Sequence, residues 1–154
     1  MRGMKKLKLT TRGRYAVMAM IELAQKGEQQ PVPLVEIANS GKISLSYLEQ
    51  LFAGLRKHGL VKSYRGPGGG YVLAKPATEI HIAEILDSAE DCVPAKRTTK
   101  EQNNSAPGSK KVGMLWGHIG EVLYASMRHI SLEDVISDRI DGHPAMNKLF
   151  EALA

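Results

Sequence analysis

Two groups of residues in this 154-residue chain are suited to hydrogen-bonding chemistry. The first is Ser44-Leu45-Ser46-Tyr47-Leu48-Glu49-Gln50, where hydroxyls, a phenol, a carboxylate and a planar amide recur at helical spacing. At the exposed N-terminal end of a helix such groups can meet base edges: Gln pairs two-fold with adenine, and Glu accepts from the cytosine amino group. Glu49 also has a second reading, as the capping-box partner of Ser46 three residues earlier. The other group is Arg65-Gly66-Pro67-Gly68-Gly69-Gly70-Tyr71, with Lys62 close by and no acid near. A two-residue hairpin turn needs one or two glycines. Four around a proline leave bare backbone that can approach phosphate, while the guanidinium can enter a minor groove. A nucleotide-cradling loop would continue into Gly-Lys-Ser/Thr and a helix, and neither follows here.

These residues need elements to position them. From Thr10 to Lys26 the apolar Tyr15, Met18, Ala19, Ile21, Leu23 and Ala24 form a helical stripe with Thr10 as cap and Gly27 as stop. Pro31-Val32-Pro33 opens a second short helix whose Leu34, Ile37 and Ala38 face inward, and Asn39-Ser40-Gly41 supplies the break after it. A third helix is expected from Ser44 to a C-cap at Gly59, burying Leu48, Leu51, Phe52 and Leu55. Leu60–Tyr64 and Tyr71–Ala74 then read as strands on either side of the glycine turn. Helix, break, helix and hairpin make a mostly α fold with one small β-hairpin, a winged helix-turn-helix. After it, Ile80, Ile82, Ile85 and Leu86 predict a short helix ending near Ser88-Ala89-Glu90-Asp91 and packed behind the core.

Charge points the same way. Residues 1–75 hold 13 Lys+Arg against 4 Asp+Glu, and residues 76–154 hold 8 against 12, so the net +5 divides into +9 and −4. Clustered cations are what phosphate neutralisation requires. The expected ligand is double-stranded DNA, contacted by Ser44, Ser46, Tyr47, Glu49, Gln50, Arg56, Lys62, Arg65, Gly66, Pro67 and Gly68. A membrane surface would want the basic residues opposite a bulky apolar face, and here they sit at helix ends and in a hairpin. No apolar run reaches membrane-spanning length, and the basic start lacks the apolar core of a signal peptide, so a cytoplasmic protein is expected. Cys92 is the one cysteine, which rules out an intramolecular disulfide and any thiolate zinc site. The five histidines form no ligand-spaced pair, and a redox enzyme built on Cys92 would lack a resolving thiol.

Residues 94–109 are nearly free of apolar side chains and read as a loop that cannot offset its own ordering cost. Beyond it Val112, Leu115, Trp116, Ile119, Val122, Leu123 and Met127 repeat at about three and a half residues. A lone helix cannot bury such a stripe without a partner, so it is the expected homodimer seam. Ser131-Leu132-Glu133-Asp134 has the form of another capped helix start, and Pro144–Leu153 that of a short terminal helix. The expected divisions are a DNA-binding domain over 8–91, a loop over 92–111, a dimerisation helix region over 112–136 and a tail over 137–154.

Leu9-Thr10-Thr11-Arg12-Gly13-Arg14-Tyr15-Ala16, the Ile43–Phe52 run, Leu55-Arg56-Lys57, Gly59-Leu60-Val61 and Arg65–Tyr71 together resemble the IscR-type family of winged-helix transcription regulators. The resemblance implies a homodimer joined through the long helix, bound to a roughly palindromic operator, usually as a repressor. It also implies sensing of iron–sulfur status, nitric oxide, iron or cysteine supply. In cluster-binding relatives three cysteines and a histidine hold the cluster, and the matching positions here are Thr98, Asn104, Lys110 and Gly113. Cys92, just before the loop, is then the remaining thiolate candidate, and it would need unconventional partners such as Asp91, Glu90 or His118. The alternative is a regulator that works without a cluster, controlled by a protein partner on the acidic C-terminal half or by Cys92 oxidation.

Overall fold

The structure, a computed structural model, describes residues 10–27, 30–91 and 107–154. Helix α1 (Thr11–Lys26) is capped by the Thr10 hydroxyl, which accepts from the Gly13 N–H, and closed where the Gly27 N–H bonds Leu23. It buries Ala16, Ala19, Met20 and Leu23 at three-and-four spacing. Helix α2 (Leu34–Gly41) turns Ile37 and Ala38 inward. Asn39, Ser40 and Gly41, expected as the break, remain helical, and the reversal falls on Lys42, left-handed at φ 51°. That strain is held because the Ile43 N–H bonds Ala38 and the Ile43 side chain is buried. Helix α3 (Leu45–Lys57) starts from Ser44, whose hydroxyl accepts from the Tyr47 N–H. Its Leu48, Leu51, Phe52 and Leu55 are fully buried, each contributing about 1.5–3 kcal/mol. Its C-cap is His58 rather than Gly59, and Gly59 follows at φ 71° as the glycine that lets the chain leave the helix.

Strands β1 (Val61–Tyr64) and β2 (Gly70–Leu73) pair antiparallel, with Ser63 opposite Tyr71. The sequence pattern missed that β2 has a partner on its other edge. Val32 and Tyr71 exchange both backbone hydrogen bonds at 2.9 Å, so the segment before α2 serves as a one-residue third strand. Gly70 makes this approach possible, since a Cβ there would lie 2.4 Å from the carbonyl of Val32.

A 3-10 turn (Ala77–Glu79) leads into α4 (Ile82–Glu90), which lays Ile82, Ala83, Ile85, Leu86 and Ala89 on α1 and α3. The carboxylates on and just after α4 grip four different elements. Glu84 takes the Lys75 ammonium at 3.1 Å, Asp87 the Tyr124 hydroxyl at 2.9 Å, Glu90 the Thr10 hydroxyl at 2.7 Å, and Asp91 the His58 ring at 3.0 Å. Burial raises the pKa of Glu84, but the His81 N–H and Lys75 outweigh it, and the net direction is downward. Residues 76–91 carry five acids and no Lys or Arg. Four of those five acids are bonded within the chain, so this segment fastens α4 to its neighbours.

Helix α5 (Pro107–Met127) begins within the stretch read as loop, so no loop extends to residue 111. Cys92 and the rest of the expected loop, through 106, lie outside the described residues. After α5 the chain returns to α4: Ile82 donates to Ile130, Leu132 donates to Ile80, and Ser131 bridges His81. Short α6 (Leu132–Ile136) and terminal α7 (Pro144–Leu153) follow, α7 packing on α5. Ser131 and Asp134 form a reciprocal capping box. The Asp134 carboxyl is held below its usual 3.8 chiefly by the Ser131 hydroxyl and N–H, against burial, with His143 and Arg139 adding attraction.

Two stability predictions follow from this packing. Gly70→Ala forces the wing off Val32 and lowers stability by about 2 kcal/mol or more, whereas Gly66→Ala, in open space at φ 94°, lowers it by only about 1–2 kcal/mol through added backbone strain. Equal melting temperatures for the two variants would contradict this ranking. Asp134, depressed in the folded state, stabilises above its unfolded pKa and loses that contribution as pH falls below about 4 toward the folded value. Asp134→Asn is therefore less stable at neutral pH and has a shallower acid limb, measured by thermal melts between about pH 2.5 and 7. Parallel curves for the two proteins would refute it.

Candidate nucleic-acid interface

Because Leu48, Leu51, Phe52 and Leu55 face the core, the opposite side of α3 presents Ser46, Glu49, Gln50, Ala53, Arg56 and Lys57 to solvent. The row begins at exposed Ser44. Among the described residues neither Glu49 nor Gln50 is engaged by a neighbour. The expected Ser46–Glu49 capping box is absent because Ser44 is the cap and Ser46 lies inside the first turn. Tyr47 differs from its neighbours in being half-buried, with its ring edge-on to Tyr15 at 5.9 Å. Small Ala53 between the polar groups would let the helix axis come close to a groove floor.

The wing is set against α3 by several contacts. Phe52 meets Tyr71 edge-on at 4.8 Å, Leu60 N–H bonds Leu55, and an Arg56 guanidinium N–H donates to the Ser63 hydroxyl at 3.4 Å. At the tip Gly66 accepts from the Gly69 N–H at 2.9 Å, with Pro67 and Gly68 between them and Gly68 at φ 73°. Proline followed by a positive-φ residue is the arrangement of a type II turn. Arg65, Gly66, Pro67 and Gly68 are all exposed. Lys62 and Tyr64 alternate onto one side of β1, and Tyr64 is 54% exposed. The period-two spacing of Tyr64 from Lys62 is the sequence signal that places both on that side. The arrangement offers planar and short hydrogen-bonding groups on a convex helix, with cations on the hairpin beside it. It has the chemistry to read base edges and hold phosphates.

Helix α5 exposes Val112, Met114, Leu115, Trp116, Ile119 and Val122, Trp116 to 64%. Its inward side is small and polar, with Gly117, Gly120 and Ser126 buried. Of the remaining stripe residues, Leu123 is half-buried and Met127 packs against the core.

Among the described residues the donors for a four-ligand iron–sulfur site are not in place. Lys110 and Gly113 are exposed on α5 and supply neither thiolate nor imidazole, and Thr98 and Asn104 lie outside the described residues. Glu90 and Asp91 are bonded to Thr10 and His58, and His118 sits beside Glu121 at 3.5 Å. Among the described residues no group of three His, Cys, Asp or Glu could hold a metal. His58 and His143 cap helices, and His81 precedes α4 as its N-cap residue. No helix among the described residues is long and apolar enough to cross a membrane.

Residues 9–138 match the Rrf2 family model, described as an iron-dependent transcriptional regulator. The HTH-type transcriptional regulator IscR of Photorhabdus laumondii subsp. laumondii is 41% identical over 133 residues, 86% of this chain and 81% of that protein. The IscR of Cereibacter sphaeroides is 39% identical over 152 residues, 96% of this chain and 98% of that protein. In structure the chain is similar to CymR, the global cysteine regulator of B. subtilis, with a TM-score of 0.64 and 37% identity over 85% of this chain and 97% of that one. A winged helix-turn-helix head with these relatives makes the chain a member of the Rrf2 family, a DNA-binding transcriptional regulator of IscR type and not an enzyme.

Proposed function

We propose that the protein acts as a homodimer that recognises a roughly palindromic double-stranded operator and represses transcription. In this reading Ser44, Ser46, Glu49 and Gln50 contact bases from the major groove. Arg65 enters the adjoining minor groove, and Lys62, Arg56 and the Gly66–Gly68 backbone hold phosphates. Tyr47 adds its phenol from a ring braced on Tyr15. Glu49 carries a second effect, since a carboxylate facing DNA repels phosphate and penalises sites that offer it no donor.

The observation that carries the reading is the joint at Tyr71. The Tyr71 ring on Phe52 and the Tyr71 backbone on Val32 tie the hairpin both to α3 and to the segment entering α2. The dimer is supported by the α5 stripe, whose large apolar side chains face outward while glycines face in. A second copy of the same helix, crossing it about a two-fold axis, would remove those side chains from water. Because the matched ligand positions lack cluster donors, DNA reading in this protein proceeds without a cluster in the usual four-ligand site.

Base and phosphate contacts are separable by experiment. Gln50→Ala costs about 1–3 kcal/mol on the preferred duplex and relaxes sequence preference, while Lys62→Ala weakens all duplexes alike and reduces the salt slope by about one. Titrations on selected and random duplexes at several salt concentrations measure both, and equal losses on both DNAs for both variants would refute the division. Leu115→Asp places a charge in the α5 stripe and is expected to yield a folded monomer by sedimentation, with weakened operator binding. A variant that remains dimeric would remove this helix from the interface.

A further inference from the structure

Helix α4 belongs mechanically to the DNA-binding head. Its apolar face is spread over α1 and α3, and Glu90 and Asp91 fasten its end to the cap of α1 and the C-terminus of α3. Its junction with α5 is far thinner. The C-terminal end of α5 is pinned by the backbone bridge between Ser131 and His81, together with the bonds of Ile82 to Ile130 and Leu132 to Ile80. A helix pinned at one end can still swing. A swing is opposed by the packing of α7 on α5 and, toward α4, by a polar contact of the Tyr124 hydroxyl on the Asp87 carboxylate at 2.9 Å, partly buried.

The lever arm is short on one side and long on the other. At 1.5 Å per residue, Tyr124 stands about 5 Å from the end of α5 and Trp116, in the apolar stripe, about 16 Å. A displacement of about 1 Å at Tyr124 therefore becomes about 3 Å at the stripe, close to the roughly 3.4 Å rise of one base pair. In a dimer joined at that stripe, the angle at Tyr124 sets how far apart the two copies of α3 stand. Each half-site would still be read by the same side chains.

We propose that Asp87 and Tyr124 are positioning residues that set the half-site separation recognised by the dimer. Asp87 belongs to the head and Tyr124 to the dimer helix, so their bond fixes the angle between reading and pairing. This rests on the dimeric reading above, and the experiment keeps the two apart.

The test is selection from a pool of duplexes with a randomised central stretch, run in parallel with the full-length wild type, Tyr124→Phe, Asp87→Ala and the double variant. The wild type is expected to recover two inverted half-sites at one dominant separation. Each variant should recover the same half-site sequence with separations spread over two or three base pairs. Affinity for the wild-type duplex should fall about three- to tenfold, the double variant no further than the worse single. Tyr124→Phe keeps the ring, so its melting temperature checks that the fold is intact should Asp87→Ala prove unstable. Unchanged separation and affinity in a folded Tyr124→Phe would overturn the assignment while leaving the dimer standing. Recovery of isolated half-sites by the wild type, with no inverted repeat, would overturn the dimeric reading and this inference with it.

Discussion

The interface depends on one residue's simultaneous contacts. Tyr71 pairs with Ser63 across the hairpin, exchanges two backbone hydrogen bonds with Val32, and sets its ring edge-on against Phe52. A two-stranded hairpin alone is marginal in water. Here its inner strand is stitched on one edge to the segment entering α2 and on one face to the buried side of α3. The helix-turn-helix and the wing are thereby packed together, and Gly70 is the residue whose missing side chain permits the approach.

The distribution of charge has a matching logic. In the head, Lys26 pairs with Glu22 and Lys75 with Glu84, yet among the described residues Lys42, Lys62 and Arg65 have no acidic partner. The carboxylates of 76–91 are turned to internal use, holding α1, α3, α5 and the end of the wing around α4. Cations are thus left to face an external anion while anions hold the scaffold. That asymmetry steers a polyanion to one side of the molecule.

Most of the head was legible in the sequence because its signals are local. Thr10 and Ser44 as caps, the Leu48–Leu55 stripe and the Gly-Pro-Gly tip each follow from spacing and backbone chemistry within a few residues. What escaped is nonlocal or depends on tertiary over-determination. The Val32–Tyr71 bridge joins residues 39 apart, and nothing in Pro31-Val32-Pro33 names its partner. The helix-turn-helix break falls on Lys42 instead of Asn39-Ser40-Gly41, where the buried Ile43 side chain and its N–H bond to Ala38 hold the left-handed turn. The sequence names no partners for the acids on and just after α4, since those partners lie 9, 33, 37 and 80 residues away. Start of α5 at Pro107 was hidden by a polar first turn, Gly108-Ser109-Lys110-Lys111, in which no apolar stripe begins.

Family membership brings an expectation of iron, and the described donors do not meet it: Lys110 and Gly113 stand where ligands would be needed, and neighbouring carboxylates are already bonded. We propose that the reading head, held together among the described residues by packing and hydrogen bonds, recognises DNA sequence without a cluster. The most direct measurement is sequence-selective DNA binding by protein purified without oxygen, with iron and sulfide quantified in the same sample. A colourless, iron-free protein that prefers its selected duplex over random DNA is the predicted result. Visible absorbance with stoichiometric iron and sulfide, and selectivity that disappears when they are removed, would contradict it.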